Sequence, residues 1–564
     1  MAAHHPTPVP PSTATATGAG ALVAALVRHG VDTIFGIPGT HNLAIYEELD
    51  RAGVRCVTPR HEQGAGYAAD GYARATGRPG VVVTTTGPGV VNAATALAQA
   101  YSDSSPILLV SPGVPTRHPR QGRGYLHESR DQSRALDALC EWSHRVSSVR
   151  EVPAAVARAF ARFAEGRPRP VHIEIPEDLL DESESGVKIV SPSRIMPRIP
   201  DPAALDQAAR LLRGAVRPGF VLGGGAQAPG DGEPAVGGTA MLLAERVGAR
   251  VVTTVNGKGA VPESHPLVLG ATLHLAAVRR WLADCDVVLA VGTELGPAEL
   301  WQDPYSLGGT LIRVDVDPGQ MYGDHVADVA IVADAGLALS GLAERVAAPR
   351  SVPGSAPASV PAQRSRVHPA TAWHEPSPGP DYEAELRELT RRWTGYLEAI
   401  RRALPEDTIV VGDNSMVVYH GALVAMPMDP PGRFLFPSGY GTLGFALPAG
   451  IGAKIGCPGR PVAVLAGDGA FQFSLQELAA AVELGLSLPI VVCVNGGYGQ
   501  IRDEMRDRGM RPVAVDLHGP DLPALAVSYG ALGREVKTPG ELEETLAEAL
   551  LVPLPTVIVM TENE

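Results

Sequence analysis

In the stretch VLAGDGAFQFSLQELAAAVELGLSLPIVVCVNGGYG (464–499), Asp468 stands between two glycines directly after an apolar run, and Asn495 closes a second such run. An oxygen-only pair of this kind suits a hard cation such as magnesium. That ion takes few protein ligands and completes its octahedron with water and phosphate oxygens. The Gly497 carbonyl, just beyond Asn495, is a third candidate ligand. Gly467, Gly469, Gly496 and Gly497 let the backbone come close to whatever binds. Asp-Gly is also an ordinary turn pair, so by itself the segment leaves a plain turn open.

To bring Asp468 and Asn495 together the chain needs a strand–helix–strand unit. Residues 462–466 form a short continuous apolar run, as expected of a strand buried on both faces. Ser474 and Glu477 match an S-x-x-E capping box, and Leu475, Leu478, Ala479, Val482 and Leu486 recur at helical spacing. A helix is therefore expected from about Ser474, with its positive end beside an anion. Pro489 opens the second apolar run. Parallel strands joined this way set Asp468 and Asn495 side by side at their carboxyl ends, where ligands of open α/β sheets bind.

A chain of 564 residues is long enough for two or three domains. Hydrophobic residues make up 45% of it, yet no uninterrupted apolar stretch could cross a bilayer. A net charge of −14 argues against nucleic acid or an anionic membrane as partner. Residues 1–17 are rich in Pro, Thr and Ala and lack a basic region followed by an apolar one, so they read as a disordered tail and not as a signal peptide. Cys56, Cys140, Cys285, Cys457 and Cys493 show neither zinc spacing nor a disulfide framework, which fits a reducing cytoplasm. Short apolar strands alternate with amphipathic helices over residues 18–185, 195–345 and 381–564, and a Pro/Ser/Ala-rich linker occupies 346–380. The pattern predicts an α/β chain of three doubly wound parallel-sheet domains. The run LGGGAQAPG (222–230) fits neither a dinucleotide fingerprint nor a P-loop.

GDG followed at this spacing by an asparagine and GGYG resembles the diphosphate-binding motif of thiamine-diphosphate-dependent enzymes, the superfamily of acetolactate synthases and 2-oxo acid decarboxylases. The resemblance implies that Asp468, Asn495 and the Gly497 carbonyl hold magnesium against the cofactor's diphosphate, with Gly467, Gly469, Ala470 and Tyr498 around it. The family motif usually ends in a double Asn, and here Val494 replaces the first. In TPRHEQGAGYAADGYARATGRPGV, Glu62 ends a strand and opens a helix. The family's glutamate at that place hydrogen-bonds the aminopyrimidine ring and promotes loss of the thiazolium proton. Alone, Glu62 would pass for a first-turn helix acid. The small residues after it (Gly64, Ala65, Gly66, Ala68, Ala69) clear a helix face for close approach by another chain or a ligand.

TTTGPGVVN matches the family's TxGPGxxN at Gly87, Pro88, Gly89 and Asn92. SGYGTLGFALPAGIGA (438–453) matches the segment that offers a backbone carbonyl to the aminopyrimidine and an apolar residue under the cofactor's bend, at Gly441 and Leu443. Pro88, Asn92, Asn414 and Ser415 complete the implied cofactor-binding set. The resemblance covers nearly all of residues 18–564 and implies pyrimidine-binding, middle, and diphosphate- and magnesium-binding domains. It also implies a homodimer or homotetramer with sites at the chain interface. Acetolactate synthases bind FAD in the middle domain; with no motif to support it here, FAD is not expected.

Pyruvate decarboxylases carry paired histidines in the first domain and a glutamate shortly after GGYG. Here Ile501 takes that glutamate's place, and no adjacent His pair lies outside the tail. RQGRGYLHESRDQ (120–132) occupies the place of the Phe-Gln-Glu element of acetolactate synthases, with His127 for the Gln. Together with FGIPGTHNLAIYEEL and NGGYGQIRDEM, it looks most like 5-guanidino-2-oxopentanoate decarboxylases, lyases of arginine catabolism. His127 would then supply or relay the proton taken up once carbon dioxide has left, and Thr40 and His41 would contact substrate. A surface-loop histidine is the plainer reading of His127. Acetolactate-type carboligation of two 2-oxo acids is the nearest alternative, and a cofactor-binding homologue without turnover the remoter one. A guanidinium calls for a pairing carboxylate. Glu128, Asp131, Asp503, Glu504 and Asp507 are candidates, among acids that otherwise read as surface charges.

Overall fold

A computed structural model describes residues 14–118, 122–227, 236–301, 306–347 and 380–562. The chain divides into two compact units, Met1–Met196 with Glu398–Tyr419 and Leu435–Glu564, and Pro197–Leu397 with His420–Phe434. Most of the expected linker, residues 348–379, lies outside the described residues, as does most of the expected tail, residues 1–13.

The first unit holds two six-stranded sheets. One is built from β2 (Thr33–Gly36), β3 (Arg55–Val57), β4 (Gly80–Val83), β5 (Ile107–Gly113), β6 (Trp142–Arg145) and β7 (Val171–Pro176), in the order β3-β2-β4-β5-β7-β6 with every pair parallel. Residues 14–17, expected inside the disordered tail, instead form β1 (Ala14–Thr17), antiparallel to β8 (Ser183–Val187). Alternating Ala and Thr pair well at a short edge, which a reading for signal peptides overlooks. The other large sheet has β14 (Ile409–Gly412), β15 (Arg433–Leu435), β16 (Val462–Gly467), β17 (Leu488–Val494), β18 (Leu532–Val536) and β19 (Pro555–Thr561), ordered β15-β14-β16-β17-β19-β18. In both, the chain lays two strands outward in one direction and then crosses back, so the switch points fall between β2 and β4 and between β14 and β16. Central strands such as GVVV, ILLVSPG and VAVLAG are buried along their whole length, because helices cover both faces.

Two helices join these sheets. Glu62–Thr76 and Ala446–Gly456 meet at backbone distance: a Cβ on Gly71 would lie 2.0 Å from the Ala449 carbonyl oxygen, and one on Gly452 1.8 Å from that of Ala68. The expected small-residue face is thus filled from within the chain. Gly66 packs on Ala96 and Gly64 on the Glu477 carboxylate.

The second unit carries β9 (Pro218–Leu222), β10 (Arg250–Thr253), β11 (Val287–Val291), β12 (Thr310–Asp315) and β13 (Val329–Val332), a parallel sheet ordered β10-β9-β11-β12-β13. The described part of LGGGAQAPG explains its own glycines. A Cβ on Gly223 would meet the Gly292 carbonyl at 2.3 Å, and one on Gly225 the Gly292 Cα at 2.8 Å. The loops after β9 and β11 therefore close on each other at this sheet's switch point. Helix Pro380–Thr390 belongs to the same unit: the Tyr382 hydroxyl donates to the Leu269 carbonyl, and Glu385 accepts from the Ala276 and Ala277 amides.

Candidate active site

At the switch point of the β14–β19 sheet, Asp468 follows β16 and Asn495 follows β17. The Asp468 carboxylate is 4% exposed and accepts the Asn495 amide at 3.4 Å and the Gly496 amide at 3.1 Å. Burial raises its pKa, and those backbone amides oppose the rise. The side-chain oxygen Oδ1 of Asn495 is buried without a hydrogen-bond partner. The Gly497 carbonyl lies 3.3 Å, and the Tyr498 ring 3.3 Å, from where a Cβ on Gly469 would be. One carboxylate, one orphaned amide oxygen and one nearby carbonyl make an oxygen donor set of the kind magnesium takes. Among the described residues no group of three or more His, Cys, Asp and Glu could hold a metal ion.

The expected capping box does not form. Ser474 makes no side-chain cap and its Oγ has no partner; a 3-10 turn, Leu475–Glu477, leads into the helix Leu478–Glu483. Glu477 turns away instead, 1% exposed, and both its oxygens accept the Arg60 amide at 3.1 and 3.0 Å. The His61 amide is a further donor to it. The helical run expected from about Ser474 is present as the 3-10 turn and the helix Leu478–Glu483, and a further short helix, Asp468–Phe471, stands directly after β16.

The rest of this cluster is held from β14. Asn414 donates to the carbonyls of Pro437 and Thr442, bracketing Gly441, which sits at φ +70° with open space where a side chain would be. Leu443 is half-buried in the same loop. The wholly buried Asp413 accepts the amides of Asn414, Gly444 and Ala446, and burial raises its pKa to about 6. The other side of the loop hangs from the first sheet's helices, through Gln99 to Thr442 and Asp103 to Ser438 and Gly439. Ser415 touches Gly467 closely enough to forbid a side chain there, and Ala470 is buried in the next turn.

A second cluster forms at the β2/β4 switch point. Glu62 does not end a strand; it opens the helix Glu62–Thr76, with His61 as its cap. It is 9% exposed, and its Oε2 accepts from Asn92 Nδ2 at 2.9 Å. A Cβ on Gly89 would lie 3.2 Å from its Oε1. Gly87, at φ +64°, precedes Pro88, the first residue of the helix Pro88–Ser102. A side chain on Gly87 would strike the His127 carbonyl at 2.3 Å, and His127 is itself left-handed at φ +61°. Gln132 fixes this turn, accepting from the Gly87 amide and Thr86 hydroxyl and donating to the Pro112 carbonyl. Thr40 and His41 follow β2, and the rings of His41 and His127 meet edge-on at 5.0 Å. Both rings carry a buried Nδ1 with no hydrogen-bond partner. Burial lowers the His41 pKa, against the Coulombic pull of Glu177.

Family models match in three places: the N-terminal TPP binding domain of thiamine pyrophosphate enzymes over residues 16–135, the central domain over 205–342 and the C-terminal TPP binding domain over 411–560. The chain belongs to the thiamine pyrophosphate enzymes. It is 42% identical over 535 residues to the "Probable 2-ketoarginine decarboxylase AruI" of Pseudomonas aeruginosa, covering 94% of this chain and 91% of that one. It is 32% identical over 566 residues to the "Probable acetolactate synthase large subunit" of Methanocaldococcus jannaschii, at 95% and 90% coverage. A solved structure of a "putative thiamin diphosphate-dependent enzyme" from Mycobacterium smegmatis superposes with a TM-score of 0.78 at 26% identity, over 97% of this chain and all of that one.

As a thiamine pyrophosphate enzyme, this chain has residues that fit the cofactor. The orphaned Asn495 oxygen beside Asp468 suits a metal, the open space at Gly441 suits a ligand close to backbone, and Glu62 keeps Oε1 unbonded while Asn92 holds Oε2. Asp413 and Gln132 were not foreseen, and Glu477 was foreseen only as a helix cap. Most of their partners lie 20 or more residues away in sequence, so local spacing carries little trace of them.

Proposed function

We propose that this chain decarboxylates a 2-oxo acid without oxidation, converting 5-guanidino-2-oxopentanoate to 4-guanidinobutanal and carbon dioxide. What carries the reading is the 42% identity, sustained over 535 residues, to a protein named for that activity. Bound thiamine diphosphate supplies the electron sink such a reaction needs. Asp468, Asn495 Oδ1 and the Gly497 carbonyl would hold the magnesium that meets its diphosphate, with Gly467, Gly469, Ala470, Tyr498, Asn414 and Ser415 around it. Gly441 and Leu443 would border its centre, and Pro88 and Asn92 its pyrimidine side.

Glu62 would be the acid–base group: with Oε2 tied to Asn92, Oε1 is the atom left to hold or release a proton on the pyrimidine side of the bound cofactor. The overall change replaces a carbon–carboxylate bond by a carbon–hydrogen bond and takes up one proton. Burial lowers the His41 pKa, and we assign delivery of that proton to His127, whose carbonyl meets the Gly87 turn. Thr40 and His41 border the substrate. We place the protein in arginine catabolism and, from five unpaired cysteines, in the reducing cytoplasm. We further propose a homodimer or homotetramer with each site completed between chains, and no flavin in the middle domain.

Asp468→Ala, or removal of divalent cations by chelation, is expected to abolish turnover, because one carboxylate carries most of the protein's charge on the metal. Activity that survives either treatment would show that the magnesium site has been misassigned. Carboligation to an acetolactate-type product is the second reading, and it draws on the 32% identity to an acetolactate synthase subunit. The two differ in whether a proton or a second oxo acid is taken up after carbon dioxide leaves.

A further inference from the structure

The far end of a guanidino oxo acid is a planar cation, and the acids that the sequence offers for it are already in use. Glu128 ties up its own loop, accepting the amides of Gly122, Arg123 and Tyr125, with His118 3.6 Å away. Asp131 caps the helix Gln132–Asp137 through the Arg134 amide. Asp503 pairs with Arg506, and Glu504 with Gln500 and Arg508. Asp507 is exposed at the end of its helix.

A different carboxylate lies beside the two histidines. Glu177 directly follows β7, and its Oε2 accepts from the Tyr125 hydroxyl at 3.1 Å and lies 4.0 Å from His41 Nε2. Its side chain keeps 30% exposure, whereas that of His41 has 4%. Among the described residues neither lysine nor arginine pairs with it. Its neighbours are a phenol and an imidazole whose pKa burial lowers. A carboxylate placed this way can accept two parallel N–H donors from one guanidinium. The buried, partnerless Nδ1 atoms of His41 and His127 are an independent sign that a polar ligand lies beside this histidine pair. Contacts link it to the reacting end: Glu177 to His41, the His41 ring to that of His127, and the His127 carbonyl to the Gly87 turn beside Gly89 and Glu62.

We propose that Glu177, oriented by Tyr125, is the subsite that binds the cationic end of the substrate and sets the preference for a guanidino over a neutral oxo acid. The inference rests on the substrate reading above. Its test compares 5-guanidino-2-oxopentanoate with 5-ureido-2-oxopentanoate, its near-isosteric neutral analogue, in wild type and Glu177→Gln. The substitution is expected to lower kcat/KM for the guanidino acid by roughly ten-fold or more, with a much smaller effect on the ureido acid, because only the former loses a charge-assisted pair. A second readout avoids turnover: calorimetric binding of 4-guanidinobutanoate should weaken by a similar factor in Glu177→Gln. Tyr125→Phe, in an exposed loop and so safe for folding, should produce a smaller loss in the same direction. Equal losses on both substrates, or an undiminished guanidino preference in Glu177→Gln, would overturn the subsite while leaving the substrate reading standing. A wild type that prefers pyruvate to the guanidino acid would overturn both.

Discussion

Glu62 and Asp468 are both buried carboxylates at the end of a parallel sheet, yet their surroundings differ. Burial raises the Asp468 pKa and the backbone amides it accepts oppose the rise, a setting compatible with the metal-ligand role proposed for it. Glu62 has a single side-chain amide on one oxygen and, among the described residues, no hydrogen bond on the other, which suits the acid–base role proposed for it. Glu62→Gln is accordingly expected to retain thiamine diphosphate while slowing exchange of the thiazolium proton with deuterium by orders of magnitude. Unchanged exchange in the variant would remove Glu62 from the chemistry. The sequence singled these residues out because a metal and a proton transfer demand particular side-chain types at fixed offsets from glycines, and the structure buries both carboxylates. Glu177 was not, since it meets His41 only through the way β2 and β7 are arranged in one sheet. His41 and His127 were named separately, but their pairing across 5.0 Å is a tertiary fact.

Among the elements, the most consequential misreading is the one at Ser474. An S-x-x-E spacing fits a capping box equally well whether the glutamate turns back to its own helix or outward, and here it reaches the turn that precedes Glu62. Glu477 thereby ties the segment after β16 to the start of the helix Glu62–Thr76 within one chain. Burial pushes its pKa up to about 7 from an ordinary 4.5. The folded state therefore holds this proton more tightly than the unfolded chain. That stabilisation is complete below the ordinary pKa and is lost as pH rises through about 7. Glu477→Gln, neutral throughout, should shrink the fall in Tm between pH 5 and pH 8. An unaltered slope would mean the carboxyl does not titrate in that window. Asp413, raised to about 6, contributes a slope of the same sign and remains in the variant. The helices and parallel strands themselves were legible from apolar runs and glycines. The backbone contact at Gly71 and Gly452 was legible only as a small-residue face, because spacing shows that room exists and not what fills it.

For the whole molecule, three stretches of alternating strand and helix gave three parallel sheets, two of them with the same strand order and with candidate residues at the same switch point. Within one chain Glu62 bonds Asn92, and Asp468 bonds the amides of Asn495 and Gly496 in the loop after β17. If each active site joins one half from each of two chains, then mixing Glu62→Gln with Asp468→Ala chains should restore part of the activity that neither has alone. No recovery after subunit exchange, or a fully active monomer, would refute the shared site. The central claim concerns the reaction, and product analysis of the cofactor-loaded enzyme with a panel of 2-oxo acids tests it most directly. The account predicts 4-guanidinobutanal and carbon dioxide from 5-guanidino-2-oxopentanoate, with a clearly higher kcat/KM than for pyruvate or 2-oxoisovalerate. Equal or better turnover of pyruvate, with acetolactate as the product, would contradict it.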